Sequence, residues 1–169
     1  MSDKKYILTE DATEKKLRRM ALEVVERNYD EVQLVLIGVK NNGLVIAKKI
    51  GSYLKEVFKG EIIMVALSID KKRPGPVSVD PPIDFNGKVV ILIDDVANSG
   101  RTMLYALKPL LETYPKKIQT LALVERTHKS FPIDVDYVGM SVSTTFQEHI
   151  FVDVDGDEVG GAWMEELPG

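Results

Sequence analysis

Apolar residues along the chain fall into blocks with two rhythms. Leu17, Met20, Ala21, Val24 and Val25 recur at helical spacing, which predicts an amphipathic helix running to about Asn28. Asp11 with Glu14 three residues on forms a helix-start pair, with Thr9 the alternative cap. Val32 to Val39 is then almost continuously apolar, the mark of a strand covered on both faces. Asn41-Asn42-Gly43 breaks the run, and Leu44, Ala47, Ile50, Leu54 and Phe58 make one face of a second helix. Ile62 to Leu67 and Val89 to Ile93 read as further buried strands, Arg101 to Tyr114 as a helix, and Ile118 to Val124 as a fourth strand. Two shorter β segments follow near Asp136–Val138 and Ile150–Val154. Strands alternating with helices predict an α/β fold, a mainly parallel twisted sheet flanked by helices. In such sheets ligands bind beyond the carboxyl ends of the strands, where the strand order reverses.

Between the second and third strands, Asp70 to Gly87 carries four prolines, two glycines and the basic cluster Lys71-Lys72-Arg73. A structureless connection longer than ~12–15 residues is uncommon unless it is functional or disordered, so the stretch is either a working loop or a floppy surface excursion.

Composition narrows the function classes. The 169 residues fit one domain spanning 1–169, and a hydrophobic fraction of 44% supplies a core. The absence of cysteine excludes a disulfide framework, a thiolate-ligated metal and a thiol nucleophile. With 22 basic and 26 acidic side chains the net charge is −4, which argues against a protein that coats nucleic acid non-specifically. Apolar runs fall far short of the ~20 residues that span a bilayer. Met1-Ser2-Asp3-Lys4-Lys5 has no apolar stretch behind it of the kind a signal peptide needs. A cytoplasmic protein with no membrane partner is expected.

The chemistry concentrates in Val89-Val90-Ile91-Leu92-Ile93-Asp94-Asp95-Val96-Ala97-Asn98-Ser99-Gly100-Arg101-Thr102. A buried strand ends in two adjacent carboxylates, and a turn of small and hydroxyl residues then opens a helix. Asn98 to Thr102 can point backbone N–H groups, two hydroxyls and one guanidinium at an anion, where a helix N-terminus adds positive potential. Asp94 and Asp95 would repel that anion. They suit sugar hydroxyls or hydrated Mg2+ bound alongside. A ligand with a phosphate on one side and a vicinal diol on the other is a ribose 5-phosphate. Neither G-x-x-x-x-G-K-[ST] nor G-x-G-x-x-G is present at the relevant strands.

This segment closely resembles the 5-phosphoribosyl-1-pyrophosphate (PRPP) motif of type I phosphoribosyltransferases. Over nearly its whole length the chain resembles one branch, the bifunctional pyrimidine operon attenuator and uracil phosphoribosyltransferase (PyrR) family. The likeness includes Leu36-Ile37-Gly38-Val39-Lys40-Asn41-Asn42-Gly43, Leu123-Val124-Glu125-Arg126-Thr127-His128-Lys129, Phe131-Pro132-Ile133 and Asp136-Tyr137-Val138-Gly139. It implies the type I phosphoribosyltransferase fold with a small hood built from the chain ends, and a homo-oligomer, dimer or tetramer.

By that resemblance Asp94, Asp95, Val96, Ala97, Asn98, Ser99, Gly100, Arg101 and Thr102 hold the ribose and 5-phosphate of PRPP. Mg2+ lies near Asp94 and Asp95, partly through water. Lys40, Asn41, Asn42 and Gly43 form the pyrophosphate loop, and Asp70 to Gly87 the lid, where Lys71, Lys72 and Arg73 neutralise the leaving group. The catalytic residues implied are Asp94, Asp95 and Arg73. Glu125, Arg126 and Val138 sit at the base site, where a carboxylate in place of the lysine of purine enzymes suits the N3–H of uracil. Two positions depart from the pattern: Asn42 stands where an arginine is usual, and Ser68-Ile69-Asp70 where a tyrosine–arginine pair is common.

Three functions follow as alternatives. The first is an enzyme making UMP from uracil and PRPP with Mg2+. The second is a nucleotide-sensing, RNA-binding regulator, with Lys15, Lys16, Arg18, Arg19, Arg27 and Lys129 as a basic face; Leu22 and Met140 replace the histidine and lysine typical there. The third is a hypoxanthine-type purine phosphoribosyltransferase. His128 carries no assigned role, and Trp163 is read as a packing residue.

Overall fold

The computed structural model describes residues 4–145 and 147–166. The chain begins with β1 (Lys5–Leu8), α1 (Glu10–Arg27), β2 (Gln33–Val39), α2 (Asn42–Val57) and β3 (Glu61–Ser68). The long connection holds β4 (Ser78–Asp80) and leads to β5 (Val89–Ala97), α3 (Arg101–Ala106) and α4 (Lys108–Leu111). β6 (Lys117–Arg126), β7 (Tyr137–Val142), β8 (Glu148–Asp155) and β9 (Glu158–Glu166) complete it.

The main sheet has the order β4-β3-β2-β5-β6-β7, parallel except for the antiparallel edge strand β4. β2 and β5 are adjacent at its centre, with Val35 opposite Val90 and Gly38 opposite Ile93. The chain winds outward from this pair in both directions, so the crevice for a ligand opens beyond their carboxyl ends. A second sheet, β1-β9-β8, is antiparallel and built from both chain ends. This is the expected hood.

Both faces of the main sheet are covered, which is why Leu34 to Val39 of β2 and Val89 to Ile93 of β5 carry no polar side chain. On one face Leu17, Met20, Ile46 and Ile50 of the two long helices, with Ile150 and Ala162 of the hood, pack on Leu34, Leu36, Ile91 and Leu123. On the other, Phe85, Met103 and Leu110 pack on Val35, Ile37, Val90 and Leu92.

Several expectations need correction. Thr9, and not Asp11, caps α1: its Oγ1 accepts from the Ala12 N–H at 3.1 Å, while Asp11 pairs with Lys15 at 3.1 Å. The helix expected over Arg101 to Tyr114 is two short helices, because Pro109 at the start of α4 has no N–H to continue the ladder. The third strand runs through Asp94 and Asp95 to Ala97 instead of stopping at Ile93. β1, β4 and β9 were not expected as strands. Trp163 does pack, stacked on Phe151 with ring centroids 5.5 Å apart.

Candidate active site

β5 carries Asp94 and Asp95 on consecutive positions, so their side chains leave opposite faces of the strand. Asp94 is 1% exposed. Its Oδ1 accepts from the N–H of Asp95 at 2.8 Å, and Asp95 Oδ1 accepts from the N–H of Val96 at 2.8 Å. Lys71 reaches in from the long connection. Its Nζ lies 3.2 and 3.3 Å from the two oxygens of Asp94 and 4.0 Å from Asp95 Oδ1. Burial pushes the Asp94 carboxyl up to about 8; the neighbouring Asp95 charge adds to the rise and Lys71 opposes it.

The turn after β5 is folded around Gly100, whose φ of +87° is a left-handed conformation that glycine adopts without steric cost. The Ser99 carbonyl accepts from the N–H groups of Ser130 and Phe131, each at 3.0 Å, so the turn is pinned to the loop after β6. Ser99 Oγ accepts from the Arg101 N–H at 3.2 Å. The Arg101 guanidinium donates to the Lys71 carbonyl at 3.0 Å. α3 has only six residues, so Arg101 and the turn's N–H groups supply most of the positive potential there.

Lys71, the whole stretch Asp94 to Thr102, Met103 and Ile150 line one cleft of about 310 Å³. None of Lys40 to Gly43 lines it, but Asn42 and Gly43 touch the acid pair. Lys40 and Asn41 are joined by a cis peptide. Gly43 is packed so closely that a Cβ there would lie 2.8–2.9 Å from the Ile93 carbonyl oxygen, Asp94 Cα and Asp94 Oδ1. Asn42 Nδ2 donates to Asp95 Oδ2 at 3.1 Å. Lys72 and Arg73 are exposed; their N–H groups donate to Asp70 Oδ1 at 3.0 and 3.3 Å in a small turn.

At the expected base site, Glu125 lies opposite Ala97 in the sheet, immediately beside the turn after β5. It pairs with Lys129, and its Oε2 accepts from the Ser141 hydroxyl at 3.2 Å. The two side chains are only 15% and 12% exposed. Arg126 does not pair with Glu125; it donates to the Glu148 carbonyl at 2.6 Å, beneath the hood. Val138 lies within β7, opposite Ala122, and its carbonyl accepts from Arg19 at 3.2 Å. The Lys71 and Lys129 pairings were missed in the sequence, since each joins segments that only the fold or the loop after β6 brings together.

Residues 4–156 match the phosphoribosyl transferase domain model. The chain belongs to the phosphoribosyltransferase family. It is 33% identical to the bifunctional protein PyrR of Pelotomaculum thermopropionicum over 92% of this chain and 93% of that protein. With PyrR of Bacillus cereus strain AH820 the identity is 34%, covering 91% and 92%. Among solved structures, a hypoxanthine phosphoribosyltransferase of Trypanosoma cruzi in a ternary substrates complex superposes with a TM-score of 0.76 at 17% identity, covering 95% of each chain. A hypoxanthine-guanine phosphoribosyltransferase of Bacillus anthracis gives 0.73 at 19%, covering 96% and 99%. At such low identity these two structures speak for the fold alone. This phosphoribosyltransferase is a pentosyltransferase, and no helix among its described residues is long and apolar enough to cross a membrane.

The acid pair also fits the Mg2+ expected of the family. One ammonium already lies within 4.0 Å of both carboxylates, so the position between them accepts a cation. Among the described residues there is no cluster of three acidic or histidine ligands.

Proposed function

We propose that this phosphoribosyltransferase makes UMP from uracil and PRPP. The observation that carries the reading is one cleft lined by both the carboxylate pair and the turn Asn98 to Thr102, with Glu125 next to Ala97 in the sheet. The turn Asn98 to Thr102 holds the 5-phosphate, and Asp94 with Asp95 accepts from the ribose hydroxyls. Held at both ends, C1 of the sugar has one orientation toward the base.

The base nitrogen displaces pyrophosphate from C1 through an oxocarbenium-like transition state. Asp95, together with Asp94 once that acid is ionised, favours the developing positive charge. Asp94 and Asp95 would hold Mg2+, which would supply charge neutralisation for the leaving group. Lys72 and Arg73, exposed near the start of the lid, add cations as the segment closes and excludes water. Glu125, fixed by Lys129 and Ser141, accepts from uracil N3–H, and its negative charge disfavours an acceptor at the same point.

The test is a product assay with uracil, hypoxanthine, guanine and orotate, each with PRPP and Mg2+. UMP formation from uracil above the other bases is the expected result; turnover of a purine in its place overturns the pyrimidine reading. On the same reading the protein is expected to be a cytoplasmic homo-oligomer, dimer or tetramer, and light scattering of the purified chain checks the oligomeric state.

A second reading, a nucleotide-sensing RNA regulator, is favoured by relatives named bifunctional. Against it, five of the six cations of the proposed basic face have intramolecular partners. Lys15, Arg18, Arg19 and Lys129 pair with carboxylates, and Arg27 lies over the Tyr137 ring. Salt-dependent binding to a structured leader RNA above a scrambled control decides for the regulator.

A further inference from the structure

The loop after β2 reaches the acid pair through a single side chain. Asn42 Nδ2 donates to Asp95 Oδ2 at 3.1 Å and to the Val152 carbonyl of β8 at 3.3 Å. The other oxygen of Asp95 accepts from the Val96 N–H. The carboxylate is therefore held at both oxygens, by its own strand on one side and by the first residue of α2 on the other. The same amide ties α2 to β8, whose Ile150 forms part of the cleft wall.

An amide suits this position because it donates without carrying charge. It fixes the rotamer of the carboxylate and leaves the negative charge in place. A carboxylate offers about four lone-pair directions, and these two bonds use two of them. The remaining directions stay open toward the cleft. A guanidinium at position 42 would orient the acid too, but as an ion pair that competes with any cation or hydroxyl brought by a ligand.

We propose that Asn42 is a positioning residue for Asp95, acting on the sugar side of the reaction rather than as a ligand of the pyrophosphate. This rests on the reading that the acid pair takes the ribose diol. Seating of β8 over the cleft and presentation of Asp95 in one orientation are then the work of one group. The departure from arginine at this position becomes a change of role, from binding the leaving group to bracing the sugar site.

The test compares two ligands that lack pyrophosphate: UMP and 2′,3′-dideoxy-UMP, titrated calorimetrically with Mg2+ into the wild type, Asn42→Leu and Asn42→Ser. The wild type should prefer UMP. Asn42→Leu should bind UMP about tenfold more weakly, the effect of one hydrogen bond to a charged group, and bind the dideoxy nucleotide unchanged. In combination with Asp95→Asn it should add no further loss, since both changes act through the same carboxylate. Equal weakening of both nucleotides, or unchanged UMP affinity, overturns the proposal. Asn42→Ser, too short to span to Asp95, carries the same test if the leucine variant does not fold. A wild type that binds the two nucleotides equally overturns the diol reading itself, a result distinct from failure of Asn42.

Discussion

The Lys71 ammonium and the Asp94 carboxylate meet at 3.2 Å, although they are separated by most of the proline-bearing connection. Asp94 is buried and Lys71 is half-exposed, so the long connection supplies the counter-ion of a buried acid. Arg101 holds the Lys71 carbonyl, which links that counter-ion to the phosphate turn. Lys71→Met tests the pairing through stability. Because the Asp94 carboxyl ionises near pH 8, the ammonium matters most above that pH. We expect the variant to lose about 1 kcal/mol at pH 9, discounted for the exposure of Lys71, and much less at pH 6. Thermal unfolding at the two pH values measures it, at roughly 2–4 °C per kcal/mol for a chain of this size.

Asp94 itself has an opposite signature. Its folded pKa is raised from 3.8 to about 8, so between those values the native state keeps a proton that the unfolded chain releases. Stability from this group is thus present at low pH and declines as pH rises toward 8. Asp94→Asn should flatten that decline and unfold a few degrees higher than the wild type near pH 8. Paired with Asp95→Asn it should abolish PRPP binding while the fold remains. Unchanged calorimetric affinity for PRPP in the double variant would remove the ribose-site assignment.

Gly43→Ala places a methyl group against backbone and carboxylate atoms of Ile93 and Asp94 that have no room to move independently. Overpacking of this kind costs about 1–3 kcal/mol. Here the displaced atoms belong to the acid pair, so PRPP affinity should fall tenfold or more while the thermal midpoint moves by only a few degrees. Calorimetry and unfolding on the same preparation separate the two effects.

Glu125→Gln keeps the shape of the side chain and replaces an acceptor oxygen by a donor. It also breaks the charge pair with Lys129. KM for uracil should rise about tenfold, the result of leaving one hydrogen-bond position mismatched, with KM for PRPP within twofold of wild type. An equal rise in both constants would point to general damage at the β5–β6 edge.

Much of the frame was legible in the sequence because the central strands are buried on both faces. Leu34 to Val39 and Val89 to Ile93 are covered as their apolar runs imply, although Val32, at the head of the first run, is exposed and precedes β2; the helical spacing of Leu17 to Val25 is unambiguous. β9 was not legible. Glu158, Gly160, Gly161, Glu165 and Glu166 read as a polar tail, and its pairing with β1 joins opposite ends of the chain. β4 is three residues inside a proline-rich connection, paired with β3 only on one side. In the site, the acid pair and phosphate turn are contiguous in sequence and were read as a unit. The contacts of Lys71 with Asp94 and of Asn42 with Asp95 and Val152 depend on which strands lie side by side, and local pattern carries no record of that.

Lys5 stands directly across from Met164 in the small antiparallel sheet. Anything attached beyond Lys5 or Met164 therefore loads the small sheet whose β8 lends Ile150 to the cleft. The opposite pole is free of that coupling: the turns joining α1 to β2 and α4 to β6 carry exposed Tyr29 and Tyr114 and lie at the amino ends of the sheet. Immobilisation or labelling through those turns leaves that sheet untouched.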